Sequence, residues 1–265
     1  MTFTHHLLLS TLLPMAMLAA GTVGAAPTAA DPKQWAAPER QPPLAGERIY
    51  RGEVQALDQM PVGRLFFYER RVAVATGGLA ASHITSQPDG AVVIEERAQV
   101  DPNYGLRHFE AVNTQAGHRG TVQVSADGRR LDYRLVDQGV VRTATEEVTA
   151  PVVSGPSLHG FILQHWPALV RGQVVPVRFI VLAELRTYGF DIALASQTDG
   201  LTRFTVTPSS WWVRLAVAPL IVSFDDRLRH PVRYEGRVPP MVLRNGRLQP
   251  LDARVDYAME GPAYR

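Results

Sequence analysis

Apolar and polar residues alternate with a period of two along most of the chain. Val122, Val124 and Ala126 alternate with Thr121, Gln123 and Ser125; Leu131, Tyr133 and Leu135 alternate with Asp132, Arg134 and Val136. Near the end, Leu251, Ala253, Val255 and Tyr257 alternate with Asp252, Arg254 and Asp256. Side chains on a strand point to opposite faces in turn, so this pattern predicts a sheet with one dry and one wet face.

Turn residues punctuate the runs at Pro88-Asp89-Gly90, Asp127-Gly128, Gln138-Gly139, Asp199-Gly200 and Asn245-Gly246. Two-residue hairpins need positive φ at their central positions, which Asn/Asp-Gly tolerates best. The pattern predicts eight strands near 47–57, 64–75, 80–87, 91–100, 106–113, 118–126, 129–137 and 139–149. Six more fall near 173–183, 186–196, 201–207, 219–225, 229–235 and 250–258. Sequential strands should be neighbours in space. The fold class is therefore mainly β: a large curved antiparallel sheet, a barrel or half-barrel meander, with one or two short helices. So many twisted strands rarely stay flat, which leaves a barrel, a half-barrel or two packed layers open.

Two stretches depart from the two-residue period. Leu158, Phe161, Ile162 and His165 stand at i, i+3, i+4 and i+7, the spacing of one helix face, with Pro167 as its stop. The second runs from Ser209, a candidate N-cap, through Trp211-Trp212 to Ala216, as a helix or a strand.

Ahead of the sheet, residues 1–25 contain no Lys, Arg, Asp or Glu; an apolar run there ends in Val23-Gly24-Ala25 before Ala26-Pro27. That is the layout of a cleavable secretory signal, and the run is broken by Ser10, Thr11 and Pro14, unlike a membrane anchor. Residues 26–46, with Pro27, Pro32, Pro38, Pro42 and Pro43, read as a disordered linker, and 47–265 as a single antiparallel β domain. The expected location is outside the cytoplasm, the periplasm ahead of the external medium.

There are no cysteines, which excludes disulfides, thiol catalysis and cysteine-ligated metal centres. The 27 basic residues exceed the 25 acidic ones by only two, and the signs are interleaved, as in Glu69-Arg70-Arg71. A nucleic-acid surface needs a patch of one sign, so no nucleic-acid partner is expected.

Candidate chemistry is sparse. Gly155-Pro156-Ser157-Leu158-His159-Gly160 approaches a nucleophile elbow, but His159 replaces the second glycine and the parallel α/β setting is missing. Ser157 reads better as a helix cap. His159 and His165 fall on different helix faces, His108 and His118 facing each other across a hairpin would give two ligands at most, and no metal or nucleotide motif occurs. The histidines read as surface or half-buried hydrogen-bonding groups. Neighbouring acids Glu95-Glu96 and Glu146-Glu147 point to opposite faces of their strands; Asp225-Asp226 reads as a turn. No catalytic residue, metal or cofactor is expected.

What remains is a set of large apolar residues on the helical segments: Phe161, Ile162, Trp166, Trp211, Trp212 and Leu215. Adjacent tryptophans bury, meet a membrane or line a pocket. These six are the candidate ligand-binding residues, with core packing as the alternative.

Ile221-Val222-Ser223-Phe224-Asp225-Asp226-Arg227-Leu228, followed by Val232-Arg233-Tyr234-Glu235-Gly236, resembles a recurrent ending in uncharacterised exported bacterial proteins. These in turn resemble the LolA/LolB lipoprotein carriers. The resemblance runs loosely over 47–258 and implies a curved sheet closed by helices over an apolar cavity, with no cavity residue carried over. This chain has less helix and more strands than that pattern. The leading expectation is an exported, non-enzymatic envelope protein binding a lipid, acyl chain or other apolar ligand. The alternative is an envelope structural or interaction module that adds a partner protein to an open sheet edge. A third is an undetected hydrolase.

Overall fold

The computed structural model describes residues 46–58 and 64–260; the signal and linker assigned to 1–46 lie outside them, apart from Gly46. The eight strands of the first half are β1 (Arg48–Ala56), β2 (Arg64–Ala75), β3 (Gly78–Ser86), β4 (Val92–Val100), β5 (Leu106–Asn113), β6 (His118–Val124), β7 (Arg130–Asp137) and β8 (Val140–Glu147). A two-residue strand, β9 (Val152–Val153), leads into helices α1 (Gly155–Gln164) and α2 (Trp166–Val170). Then come β10 (Val175–Val181), a 3-10 turn at Leu182–Glu184, β11 (Arg186–Thr198) and β12 (Leu201–Pro208). Helix α3 (Trp211–Ala216) precedes β13 (Leu220–Asp225), β14 (Pro231–Arg244) and β15 (Arg247–Glu260).

All fifteen strands belong to one sheet, in the order β8-β7-β6-β5-β4-β3-β2-β1-β15-β14-β13-β12-β11-β10-β9. The pairings are antiparallel except the short β9–β10 contact, and β1 pairs with β15, so the first and last strands meet at the centre. The hairpins at 138–139, 199–200 and 245–246 have positive φ at both positions, as their sequences require.

The hydrogen-bonded ladder does not close. Its ends are instead tied by the chain and by one carboxylate. The segment that pairs with β7 as β8 continues into β9, which pairs with β10. Alongside, Glu146 of β8 accepts hydrogen bonds from the Thr187 N–H (2.8 Å), the Thr187 hydroxyl (2.7 Å), Arg178 (3.0 Å) and the Tyr133 hydroxyl (2.9 Å).

The buried face is the interior of this curl. Three apolar clusters fill it, around Phe204, Phe224 and Ile162, around Leu131, Val122 and Leu135, and around Val54, Leu251 and Ala253. Helix α1 packs inside, against β3 and β4. Ser154 is its N-cap and Ser157 sits at the third position, where its hydroxyl accepts the Ser154 N–H at 2.8 Å. The predicted stop at Pro167 is a corner: α1 ends at Gln164, and Pro167 lies in the first turn of α2. Among the described residues no helix is long and apolar enough to cross a membrane.

Candidate functional site

The inner face carries one polar row. Tyr50 on β1 is registered with Arg70 on β2, Arg70 with His83 on β3, and His83 with Glu96 on β4. Arg70 and His83 occupy the buried phase of their strands: Tyr68, Arg70 and Val72 are buried on β2, and Ala81, His83 and Thr85 on β3. The row then passes into Ala111 on β5.

Helix α1 begins directly over this row. The Pro156 carbonyl accepts a hydrogen bond from Arg70 at 3.2 Å. A Cβ on Gly155 would stand 3.1 Å from Glu96 Oε2 and 3.6 Å from His83 Nδ1, so a glycine there lets the helix start rest on the pair. One turn on, the His159 ring lies 6.3 Å from that of His83 and 5.8 Å from that of Tyr257. Tyr68 completes the group, 4.9 Å from His83 and 5.6 Å from Tyr257, centroid to centroid.

Burial sets the electrostatics. It holds His83 and His159 well below the ordinary imidazole range, with Arg70 adding to the effect. It pushes Glu96 up to about 7. His83 Nδ1 and Glu96 Oε2 are 3.6 Å apart, close but beyond a good hydrogen bond. Arg70 is lowered by burial but stays charged, since an arginine does not deprotonate in proteins. Its guanidinium lies 5.6 Å from the Tyr50 ring centre, and its Nε has no hydrogen-bond partner. His83 Nε2 and both ring nitrogens of His159 also lack partners.

Beside this cluster opens a cavity of about 360 Å³. Tyr68, His83, Glu96, His159, Tyr234 and Tyr257 give it its polar part. Ile94, Phe109, Leu158, Phe179, Ile180, Val238 and Val255 supply apolar wall. That volume lies in the range of small-molecule sites, which combine apolar walls with a few placed polar groups. A second hollow of about 330 Å³ is edged by Asp101, Arg107, Phe161 and His165, and there Asp101 and Arg107 satisfy each other. Among the described residues no three His, Asp or Glu side chains converge to hold a metal ion.

The six residues singled out from the sequence fall into two groups, and none lines the cavity beside the polar cluster. Phe161, Ile162 and Trp166 are core, with Trp166 set edge-on to Phe204 and Phe224 at 5.1 and 5.5 Å. Trp211, Trp212 and Leu215 are 58%, 65% and 76% exposed, so of burial, membrane contact and pocket lining the tryptophan pair does not take the first, and it lies outside the cavity beside the polar cluster. Their short helix, capped by Ser210 rather than Ser209, buries none of its residues.

The histidines need correcting as well. His83 and His159 are buried, with His83 Nε2 and both nitrogens of His159 lacking hydrogen-bond partners, whereas His108 and His165 do bond, to Gln123 and to the Phe161 carbonyl. His108 and His118 do not face each other: His108 is registered with Gln123, and His118 with Asn113 and Asp137. The residues that form the cluster were missed because each strand was read for its apolar phase alone. Their signal was a polar residue in that phase on three successive strands.

No protein-family model matches the chain, and no curated protein matches it. Among solved structures it is similar to a vaccine antigen, a transferrin binding protein B double mutant from Haemophilus parasuis Hp5. The identity is 10% over 82% of this chain and 50% of that one, with a TM-score of 0.21. The chain thus spans half the length of that protein, and at such a score the likeness carries no weight for fold or function.

Proposed function

We propose that this chain is an exported envelope binding protein that takes a small, largely apolar ligand with a polar end into the cavity under the start of α1. One observation carries the reading: apolar walls meet a buried cluster whose polar atoms lack partners. A buried polar atom left unsatisfied costs about 1–3 kcal/mol. Such groups in a folded protein call for an explanation beyond packing. A ligand's polar end, reaching the partnerless nitrogens of His83 and His159 while its apolar body lies against Phe109, Ile180 and Val238, provides one.

The hydrolase reading gains no support from this geometry. The Ser157 hydroxyl is engaged with Ser154, and neither nitrogen of His159 has a partner. The edge-docking reading keeps one observation: on the edge strand β8, Val140 and Val141 are 63% and 52% exposed.

Native and denaturing mass spectrometry of the purified chain test the proposal, with displacement of a fluorescent fatty-acid probe as a second readout. Ala111 lines the cavity, opposite Glu96, and Ala111→Leu narrows it while keeping every residue of the polar cluster. A small apolar molecule released on denaturation, with probe binding weakened in that variant, is the expected result. No recoverable ligand and no probe binding by the wild type would overturn it.

A further inference from the structure

The exposed stack of Trp211 on Trp212, ring centroids 3.4 Å apart, is held in place from behind. Arg214 of the same helix donates from Nε to the Pro208 carbonyl at 2.5 Å, and Arg237 of β14 reaches the Ala216 carbonyl at 3.4 Å. One bond thus ties the helix to the end of β12 and the other ties its last residue to β14, while its indoles and Leu215 are exposed. From residue 200 to residue 224 the sequence has no Asp or Glu, and its charged residues there are Arg203 and Arg214.

The patch also stands beside the cavity. Arg237, which touches the last residue of α3, is itself a cavity-lining residue. Pro208, three residues before α3, is registered with Phe190, whose ring meets that of the cavity residue Phe179 at 5.8 Å.

We propose that α3 is a membrane-docking element that seats Trp211, Trp212 and Leu215 in the interfacial layer of an anionic lipid bilayer and brings the cavity to that surface. Indole rings favour the level of lipid headgroups, where an apolar body and a polar N–H are both accommodated. Interfacial binding grows with the apolar area buried and with attraction of cationic residues to anionic lipid. Arg214, the one charged residue of α3, fits a negatively charged surface. Docking stands without any cargo; only the passage of a ligand between bilayer and cavity rests on the function proposed above.

Flotation with vesicles of phosphatidylcholine containing phosphatidylglycerol, and of phosphatidylcholine alone, tests the docking. The wild-type chain should float with the anionic vesicles, less as salt is raised, and its tryptophan emission should shift to the blue. Trp211→Ser/Trp212→Ser should lower the partition coefficient by about tenfold or more, with its thermal midpoint and its binding of the fatty-acid probe unchanged. Ala111→Leu should lose probe binding and still float, which separates failure of the cavity reading from failure of docking. Equal flotation of the double variant, or no flotation of the wild type, would overturn the proposal. So would wild-type self-association that the double variant abolishes, in the absence of vesicle binding; that outcome would make the patch a contact between copies of the chain.

Discussion

Tyr68 of β2 and Tyr257 of β15 meet with ring centroids 5.6 Å apart although their strands are not neighbours in the sheet. β1 runs between them, and the residue it places opposite both is Gly52. The missing side chain leaves space that the two rings share, and it brings the tyrosines to the cavity.

Gly52→Ala therefore sets two effects against each other. Replacing a strand glycine gains roughly 0.5–1 kcal/mol of backbone entropy. The new Cβ, however, would lie 2.6 Å from the Asp256 carbonyl oxygen, which belongs to the backbone and cannot swing aside. Overpacking of this kind costs about 1–3 kcal/mol, so the variant should be less stable in urea, with the Tyr68–Tyr257 contact spread apart.

Glu96 makes stability depend on pH with a definite sign. Its carboxyl titrates near 7 when folded and at about 4.3 when unfolded. The neutral form is favoured in the fold, so its contribution is fully present below the unfolded value and is lost as pH rises from about 4.3 through 7. Glu96→Gln removes the titration. Urea titrations should show the variant more stable than the wild type at pH 8, by an amount on the order of 3 kcal/mol. The difference should shrink toward zero near pH 4.

His159 works in the opposite direction. Its lowered pKa means the unfolded chain binds a proton that the fold refuses, so stability falls as pH drops below about 6.5. His159→Leu should stabilise the ligand-free protein at neutral pH by about 1–3 kcal/mol, since it removes partnerless buried nitrogens. The gain should widen in acid. A variant less stable than the wild type at pH 7 would mean that the ring's nitrogens are satisfied in solution.

Glu146→Ala should open the line where the two ends of the sheet approach. It removes the acceptor for Thr187, Arg178 and Tyr133 together. Hydrogen bonds to a charged group contribute about 1.5–3 kcal/mol each when measured singly and do not add within one network. A loss of about 3 kcal/mol is expected. Hydrogen exchange should accelerate first at the Thr187 amide.

The strands and their turns were legible because alternation and positive-φ hairpin residues are local properties. The sheet's longest hairpin was cut short, however: the sequence suggests strands ending at 235 and starting at 250, whereas β14 runs to Arg244 and β15 begins at Arg247. Pro239-Pro240 disguised it, for these residues sit in a register shift between Val238 and Met241 where ladder hydrogen bonds are not needed. The site was hidden for a different reason. Arg70, His83 and Glu96 are separated by 13 residues at each step, and only the register of three strands turns that spacing into a row. The exposure of Trp211 and Trp212 could not be read from the sequence, which left burial, membrane contact and pocket lining open, because hydrophobicity names a preference for leaving water without naming the place.

The pairing of β1 with β15, from Ile49↔Glu260 to Ala56↔Ala253, fixes when this protein can finish folding. A chain made from its amino terminus completes β1 early and its partner last, so the first eight strands must wait with one edge of β1 unpaired. An exposed edge of that kind invites pairing with other chains, and contacts so distant in sequence form slowly. Loss of even the last strand at the carboxyl end would leave the chain permanently in that sticky state.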